Sequence, residues 1–179
     1  MISASMYARM SDTDFRKKMF KAPAGSALSG SEKYINAALG NTFPTYSALK
    51  FRPNNGELSD YTIAAATAFP MMRVEEMYFI EAEAAEHLTP GAGKALLEEF
   101  MTSYRDPKYQ FPGTMDAVDE IAFQKRVELW GEGLAFYDIK RLNMSVTRGY
   151  EGTNFDEAVR FNTNGRPAWM NLCVVRTEK

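Results

Sequence analysis

The chain carries the segment RVEEMYFIEAEA at residues 73–84 and the segment IAFQKRVELWGEGLAFYDIKR at residues 121–141. Both segments space their apolar residues at helical intervals, and both insert acidic and basic residues among them. A charge that is buried without a partner is very costly, so these charges are expected to pair with one another. The two segments therefore predict packed helices that share a structural ion network. The predicted network contains Arg73, Glu76, Glu83, Arg126, Glu128, Glu132, Asp138 and Arg141.

The first segment predicts one half of a helical hairpin. Pro70 opens the helix, since proline is tolerated in a first helical turn. Ala82 leaves room for a second helix to approach closely, and that helix is predicted over residues 94–104. Such a hairpin resembles a tetratricopeptide unit, although the 34-residue self-similarity of a repeat array is absent from the sequence. Apolar residues at i, i+3, i+7 and i+11 predict the buried stripe of the first helix: Met77, Ile80, Ala84 and Leu88.

The second segment predicts a long helix with two acids on one face. Glu128 and Glu132 are spaced i,i+4, which places both carboxylates on the same side of a helix. A glycosidase uses two carboxylates that flank the scissile bond, so this pair is one candidate for hydrolytic chemistry. Nearby basic residues favour a structural ion network instead. Gly131 and Gly133 weaken the helix by roughly 1 kcal/mol each relative to alanine, which predicts a bend or a close packing contact.

The rest of the chain is expected to contain little regular structure, and residues 1–179 are interpreted as a single region. Residues 1–69 are predicted to be loop-rich, with short helices and a strand near residues 45–51. Residues 70–143 form the helical core. Residues 144–179 are predicted to be a loop followed by a terminal strand.

Composition excludes several classes of function. The formal net charge of −2 argues against nucleic-acid binding, which requires a basic face. With Cys173 as the only cysteine and His87 as the only histidine, neither a disulfide nor a typical zinc site is expected, and no cofactor is predicted. Neither a signal peptide, a lipid-anchor cysteine nor a membrane-spanning run is apparent, which taken alone predicts a soluble, cytoplasmic chain.

The two segments also carry a family resemblance. In this order, they resemble the C-terminal region of the SusD/RagB family, which comprises glycan-binding lipoproteins on the outer surface of Bacteroidetes-type bacteria. Lys125 and Ala135 stand where many members have arginine. The matching residues of the first segment are Arg73, Glu76, Tyr78, Ala82, Glu83 and Ala84. Those of the second are Gln124, Arg126, Glu128, Leu129, Glu132, Gly133, Asp138, Lys140 and Arg141.

The resemblance implies a fold and a function. The fold would be mainly α, with tetratricopeptide-like helical hairpins, irregular loops and minor β structure. The chain would match the last third of a full-length member, a surface lipoprotein of the outer membrane that captures a glycan and delivers it to a TonB-dependent, SusC-like transporter. It would not be an enzyme. A shortened chain of this kind would expose apolar helix faces and is expected to self-associate.

Exposed aromatic rings are the candidates for sugar contact, because the C–H faces of sugars stack on them. The candidates in loop-like contexts are Tyr34, Phe43, Tyr46 and Trp169. Each ring taken singly is more typical of core packing. Two rival hypotheses stay open: a tetratricopeptide-like protein–protein interaction module without sugar binding, and a two-carboxylate hydrolase built on Glu128 and Glu132.

Overall fold

The computed structural model describes residues 1–32, 43–48, 50, 51, 57, 59–64 and 69–171. Over these residues the chain is mainly helical and forms no β-sheet, which confirms the predicted fold class. The chain divides into two compact units, Met1–Glu128 and Leu129–Lys179. The interpretation of residues 1–179 as one region stays a prediction.

The first unit contains five α-helices within its described residues. They are α1 (Ala4–Arg9), α2 (Tyr61–Ala64), α3 (Val74–Leu88), α4 (Ala92–Tyr104) and α5 (Ala117–Glu128). A 3-10 helix, Phe15–Met19, follows α1, and Asp14 caps it by accepting a hydrogen bond from the amide of Arg16. Pro70 does not open α3, because the helix begins at Val74 with Arg73 in the N-cap position.

The predicted hairpin is present as α3 and α4. Gly91 supplies the tight turn with a φ of 90°, a conformation that costs glycine little. Glu86 of α3 then accepts hydrogen bonds from the amides of Gly91 at 2.8 Å and Lys94 at 3.1 Å. These amides lack partners within α4, so the carboxylate both satisfies them and complements the positive end of the helix dipole.

The core of the hairpin lies on a different face of α3 from the predicted one. The stripe of Met77, Ile80 and Leu88 is exposed, and Phe79 and Ala82 are buried instead. Helical periodicity identified an apolar face, but α3 has two. The face bearing Phe79 is buried because its ring packs edge-on against Phe100, with centroids 5.1 Å apart. The buried cluster comprises Phe79, Ala82, Leu97, Phe100, Met101 and Ile121.

Gly93 sets how closely α3 and α4 approach. A Cβ atom at this position would lie 2.1 Å from the carbonyl oxygen of Ala82 and 2.6 Å from Cβ of Glu86. Backbone atoms cannot yield at such distances without separating the helices. The close approach predicted at Ala82 is therefore confirmed.

Replacing Gly93 by alanine should destabilise the protein, although alanine is the better helix former. We expect the overpacking to lower the free energy of unfolding by about 1–3 kcal/mol, measured by urea denaturation. Gly113→Ala is the matched control, because nothing lies within 4 Å of the point that its new methyl group would occupy. Equal midpoints for the two variants would contradict this account of the hairpin.

The long helix predicted from the second segment ends early. α5 stops at Glu128, and Gly131 has a φ of 78°, which is incompatible with continuing the helix. Glu128 and Glu132 therefore do not share one helix face, contrary to the prediction. The expected bend is in fact a helix end followed by a turn.

The second unit contains α6 (Ala135–Arg141) and two 3-10 turns, Glu157–Val159 and Ala168–Met170. Leu129, Ile139 and Met170 are its buried hydrophobic residues among those described. An isolated antiparallel bridge joins Thr147 to Asn162. The terminal strand predicted near residues 172–175 lies outside the described residues.

The strand predicted near residues 45–51 is reduced to a short pairing. Ala48 forms an isolated antiparallel bridge with Phe20, and the amide of Lys21 donates to the carbonyl of Ser47 at 2.9 Å. Tyr46 has a φ of 70°, which breaks the extended backbone that a strand requires. Among the described residues of this segment, no continuous strand forms.

Candidate functional site

Glu128 is the centre of a buried ion network in the first unit. Its side chain is 5% exposed and contacts three guanidinium groups. Arg105 donates from Nε at 2.7 Å and from Nη2 at 3.0 Å, Arg73 donates from Nη1 at 3.0 Å, and Arg16 donates from Nη1 at 3.3 Å. Two-point donation by Arg105 fits the fork geometry that guanidinium offers a carboxylate.

Two further acids balance these cations. Asp14 accepts from Nη2 of Arg16 at 2.7 Å. Glu75 lies 3.1 Å from Nη2 of Arg105 and 3.3 Å from Nη1 of Arg73. Three carboxylates thus face three guanidinium groups, which is the condition under which charges can be buried at tolerable cost.

The same cations satisfy the end of α5. Nη2 of Arg73 donates to the main-chain carbonyl of Glu128 at 2.7 Å, and Nζ of Lys50 donates to it at 3.0 Å. The last carbonyls of a helix have no partners within it and carry the negative end of its dipole, so cations stabilise them. Glu128 is therefore held by its side chain and its main chain.

The surrounding cations keep Glu128 ionised. Burial by itself would raise the pKa of this carboxyl, but hydrogen bonds from Arg105 and the charges of Arg16 and Arg105 outweigh it and lower the pKa to about 2. The charge of Glu128 in turn raises the pKa of Arg105 despite the partial burial of that guanidinium. The carboxylate of Glu128 is therefore fully engaged by guanidinium groups of the first unit.

The partners of Glu128 are not those suggested by sequence proximity. Arg141 pairs instead with Asp138 at 2.8 Å, and its side chain is 44% exposed, so it is not part of a buried network. Arg126 and Glu132 are half-buried. Glu83 is buried and lies 3.7 Å from His87. Glu76 lies 4.0 Å from Nζ of Lys125.

The candidate sugar-stacking rings occupy different settings. Tyr34 lies outside the described residues. Tyr46 is half-buried and packs against Tyr7, with ring centroids 5.2 Å apart. Phe43 is 40% exposed in the first unit, and Trp169 is 62% exposed in the second. Trp169 is therefore the most accessible of the three described candidates.

A polar pocket of about 250 Å³ also lies in the first unit. It is formed by the end of α1, the residues just after it, the connection between α4 and α5, and α5 itself. None of its acids was predicted to be functional from the sequence. The lining residues are Arg9, Met10, Ser11, Asp14, Met101, Asp106, Lys108, Tyr109, Gln110, Pro112, Glu120, Phe123 and Gln124.

Hydrogen bonds hold the acids of this pocket in place. Glu120 accepts from the hydroxyl of Tyr109 at 3.0 Å, from Nε2 of Gln124 at 2.7 Å, and from Nη2 of Arg9. Asp106 accepts from the hydroxyl of Thr13 at 2.6 Å. Burial, reinforced by the charge of Glu120, raises the pKa of Tyr109, so its phenol stays protonated and continues to donate.

The described residues contain no group of acids, histidine and cysteine arranged to hold a metal ion. None of the helices among these residues combines the length and the apolarity needed to span a bilayer.

Comparison with known proteins agrees with this architecture. A sequence model described as the SusD family matches residues 5–173. The chain belongs to the SusD family. Its fold is similar to the crystal structure of a SusD-like carbohydrate binding protein from Bacteroides vulgatus ATCC 8482, with a TM-score of 0.55 and 23% sequence identity. The similarity covers 92% of this chain and 34% of that protein, so the chain spans about a third of its length. No match was found among curated proteins.

The ion network of this SusD-family chain should be essential for stability. Glu128→Ala leaves three guanidinium groups without their shared carboxylate, and we expect a loss of about 3–5 kcal/mol in the free energy of unfolding. Glu99→Ala is the matched control, because Glu99 is exposed on α4 and such substitutions cost under about 0.5 kcal/mol. Urea denaturation of both variants measures their free energies of unfolding, which are then compared with that of the native chain. A loss below about 0.5 kcal/mol for Glu128→Ala would show that the network is dispensable.

The depressed pKa of Glu128 also predicts acid sensitivity. A carboxyl whose folded pKa is about 2, against an ordinary value of 4.5, contributes stability that is fully present above pH 4.5. That contribution falls as pH decreases towards 2 and amounts to about 3 kcal/mol. Denaturation at a series of pH values should show this loss in the native chain and a smaller one in Glu128→Gln. Parallel pH profiles for the two proteins would contradict the assigned pKa.

Proposed function

We propose that this chain is part of a glycan-binding protein of the bacterial outer membrane, which captures an oligosaccharide and passes it to a TonB-dependent, SusC-like transporter. The observation that carries this proposal is membership of the SusD family over residues 5–173. The similar solved structure is that of a carbohydrate binding protein, which supports the same class of ligand. No catalytic step is proposed, since Glu128 is committed to three guanidinium groups.

The exposed apolar face of α3 supports a protein partner. Val74, Met77, Ile80 and Leu88 are all exposed along a helix about 22 Å long, and Met71 and Met72 precede it with most of their surface exposed. Several large apolar side chains exposed on one helix are typical of an interaction site. We assign the transporter to this face. The rival hypothesis, an interaction module without sugar binding, would use the same face, so glycan binding distinguishes the two.

Glycan binding by the chain alone should be weak. One stacking ring contributes about 1 kcal/mol beyond burial, whereas sub-millimolar affinity requires roughly 5–6 kcal/mol. In calorimetry against an oligosaccharide panel, we expect dissociation constants above about 1 mM, with no release of reducing ends. Trp169→Ala should weaken any binding seen, and Tyr137→Ala is the control because Tyr137 is equally exposed in the same unit. Hydrolysis of any member of the panel would overturn the non-catalytic proposal.

The transporter assignment is tested by isolation of the full-length protein from its own outer membrane. A TonB-dependent transporter should co-purify with the native protein and should be lost when Ile80 is replaced by glutamate. Val159→Glu is the matched control, since Val159 is also exposed but belongs to the second unit. Retention of the transporter by Ile80→Glu would remove α3 as its contact. Absence of any transporter from the native preparation would contradict the proposed partnership.

A further inference from the structure

The pocket between the end of α1 and α5 has a floor of buried polar groups. Asp106 and Glu120 are each 1% exposed, and Asp14 and Gln124 are also buried. Hydrogen bonds from Thr13 to Asp106, and from Tyr109 and Gln124 to Glu120, fix these carboxylates in place. Binding a ligand therefore costs little further side-chain entropy. A floor of fixed acceptors favours a ligand that donates several hydrogen bonds.

The rim of the pocket differs from the floor in exposure and charge. Ser11, Lys108, Gln110 and Pro112 are exposed, so the pocket opens to solvent on their side. Arg9 also lies at this edge, where its guanidinium covers the ring of Phe123 at 3.7 Å and pairs with Glu120. The rim therefore supplies N–H donors to match the acceptors below.

The charges around the pocket nearly cancel. Three carboxylates line it, those of Asp14, Asp106 and Glu120. Their charges are offset by Arg9 and Lys108, which also line the pocket, and by Arg16, which pairs with Asp14 but does not line it. A charged ligand would gain little from such a balanced lining and would still lose its hydration. A neutral ligand with several hydroxyl groups can donate to the floor and accept from the rim.

Size narrows the class of ligand further. The volume of about 250 Å³ lies just below the range of about 300–1,000 Å³ that is usual for drug-sized ligands. One six-membered ring with its substituents suits this space, and a chain of several sugars does not. Tyr109 and Pro112 add carbon surface against which the C–H groups of such a ring can pack.

We propose that this pocket is a binding subsite for one neutral, pyranose-sized sugar unit. The subsite is separate from the candidate stacking rings at Phe43, Tyr46 and Trp169, none of which lines it. The inference rests on the proposed function for the class of ligand, and on the pocket itself for the position. Sugar hydroxyls would donate to Asp106 and Glu120, and the side-chain nitrogens of Lys108 and Arg9 would donate to sugar oxygens.

The test is amide NMR of the ¹⁵N-labelled chain titrated with methyl glucoside, methyl galactoside and methyl N-acetylglucosaminide at millimolar concentrations. At least one glycoside should produce saturable shifts at residues 106–112 and 120–124. Methyl glucuronide and glucosamine are the charged comparisons, and both should bind at least several-fold more weakly than the best neutral glycoside. Tighter binding of either charged sugar would overturn the neutral-ligand assignment.

Three variants locate the binding. Ser11→Trp places a large ring at the mouth and should reduce affinity at least tenfold, whereas Ser103→Trp, at an exposed position on α4 that does not line the pocket, should leave it unchanged. Lys108→Ala, also exposed, should reduce affinity several-fold without affecting the fold, which the same spectra report.

The remaining outcomes separate this inference from the proposed function. Saturable shifts confined to the surroundings of Phe43 or Trp169 would overturn the subsite and leave glycan binding intact. Absence of saturable shifts with every glycoside would also overturn the subsite. The proposed function would then still be decided by the native outer-membrane preparation, because co-purification of a transporter does not depend on this pocket.

Discussion

The first unit depends on one buried carboxylate. Glu128 ends α5, and the guanidinium groups around it come from three other places: Arg16 from the 3-10 helix, Arg73 from the N-cap of α3, and Arg105 from the C-cap of α4. A buried guanidinium group without its carboxylate partner would strongly destabilise the fold. Four segments that are distant in sequence are therefore required to meet at one point. The apolar cluster around Phe79 and Phe100 supplies burial, while Glu128 specifies which ends come together.

This arrangement leaves surfaces free for function. Because the face of α3 that bears Phe79 packs against α4, the second apolar face of α3 remains exposed. The helix end at Glu128 and the turn at Gly131 separate the first unit from the chain that follows. The structural charges thus define the scaffold, and the accessible aromatic, apolar and polar-pocket surfaces are those to which we assign the proposed glycan and protein partners.

The sequence predicted elements well where local signals were strong. The hairpin of α3 and α4 followed from helical periodicity, which is a local property of the sequence. Periodicity did not identify the buried face of α3, because Met77 and Phe79 lie on two apolar faces and only contact with α4 and α5 chooses between them. The i,i+4 relation of Glu128 and Glu132 failed because Gly131 ends the helix between them.

By itself, the sequence determined the family, the helical class and the presence of charges that require partners. All three can be read from residue types and from their spacing over a few helical turns, without knowledge of how distant segments pack. Only the tertiary structure decided that Glu128 pairs with Arg16 and Arg105, which lie 112 and 23 residues away along the chain. It also decided that Asp106 and Glu120 share a pocket. Pairing of this kind depends on how separate segments pack, because a charge is satisfied by any partner that packing brings within reach.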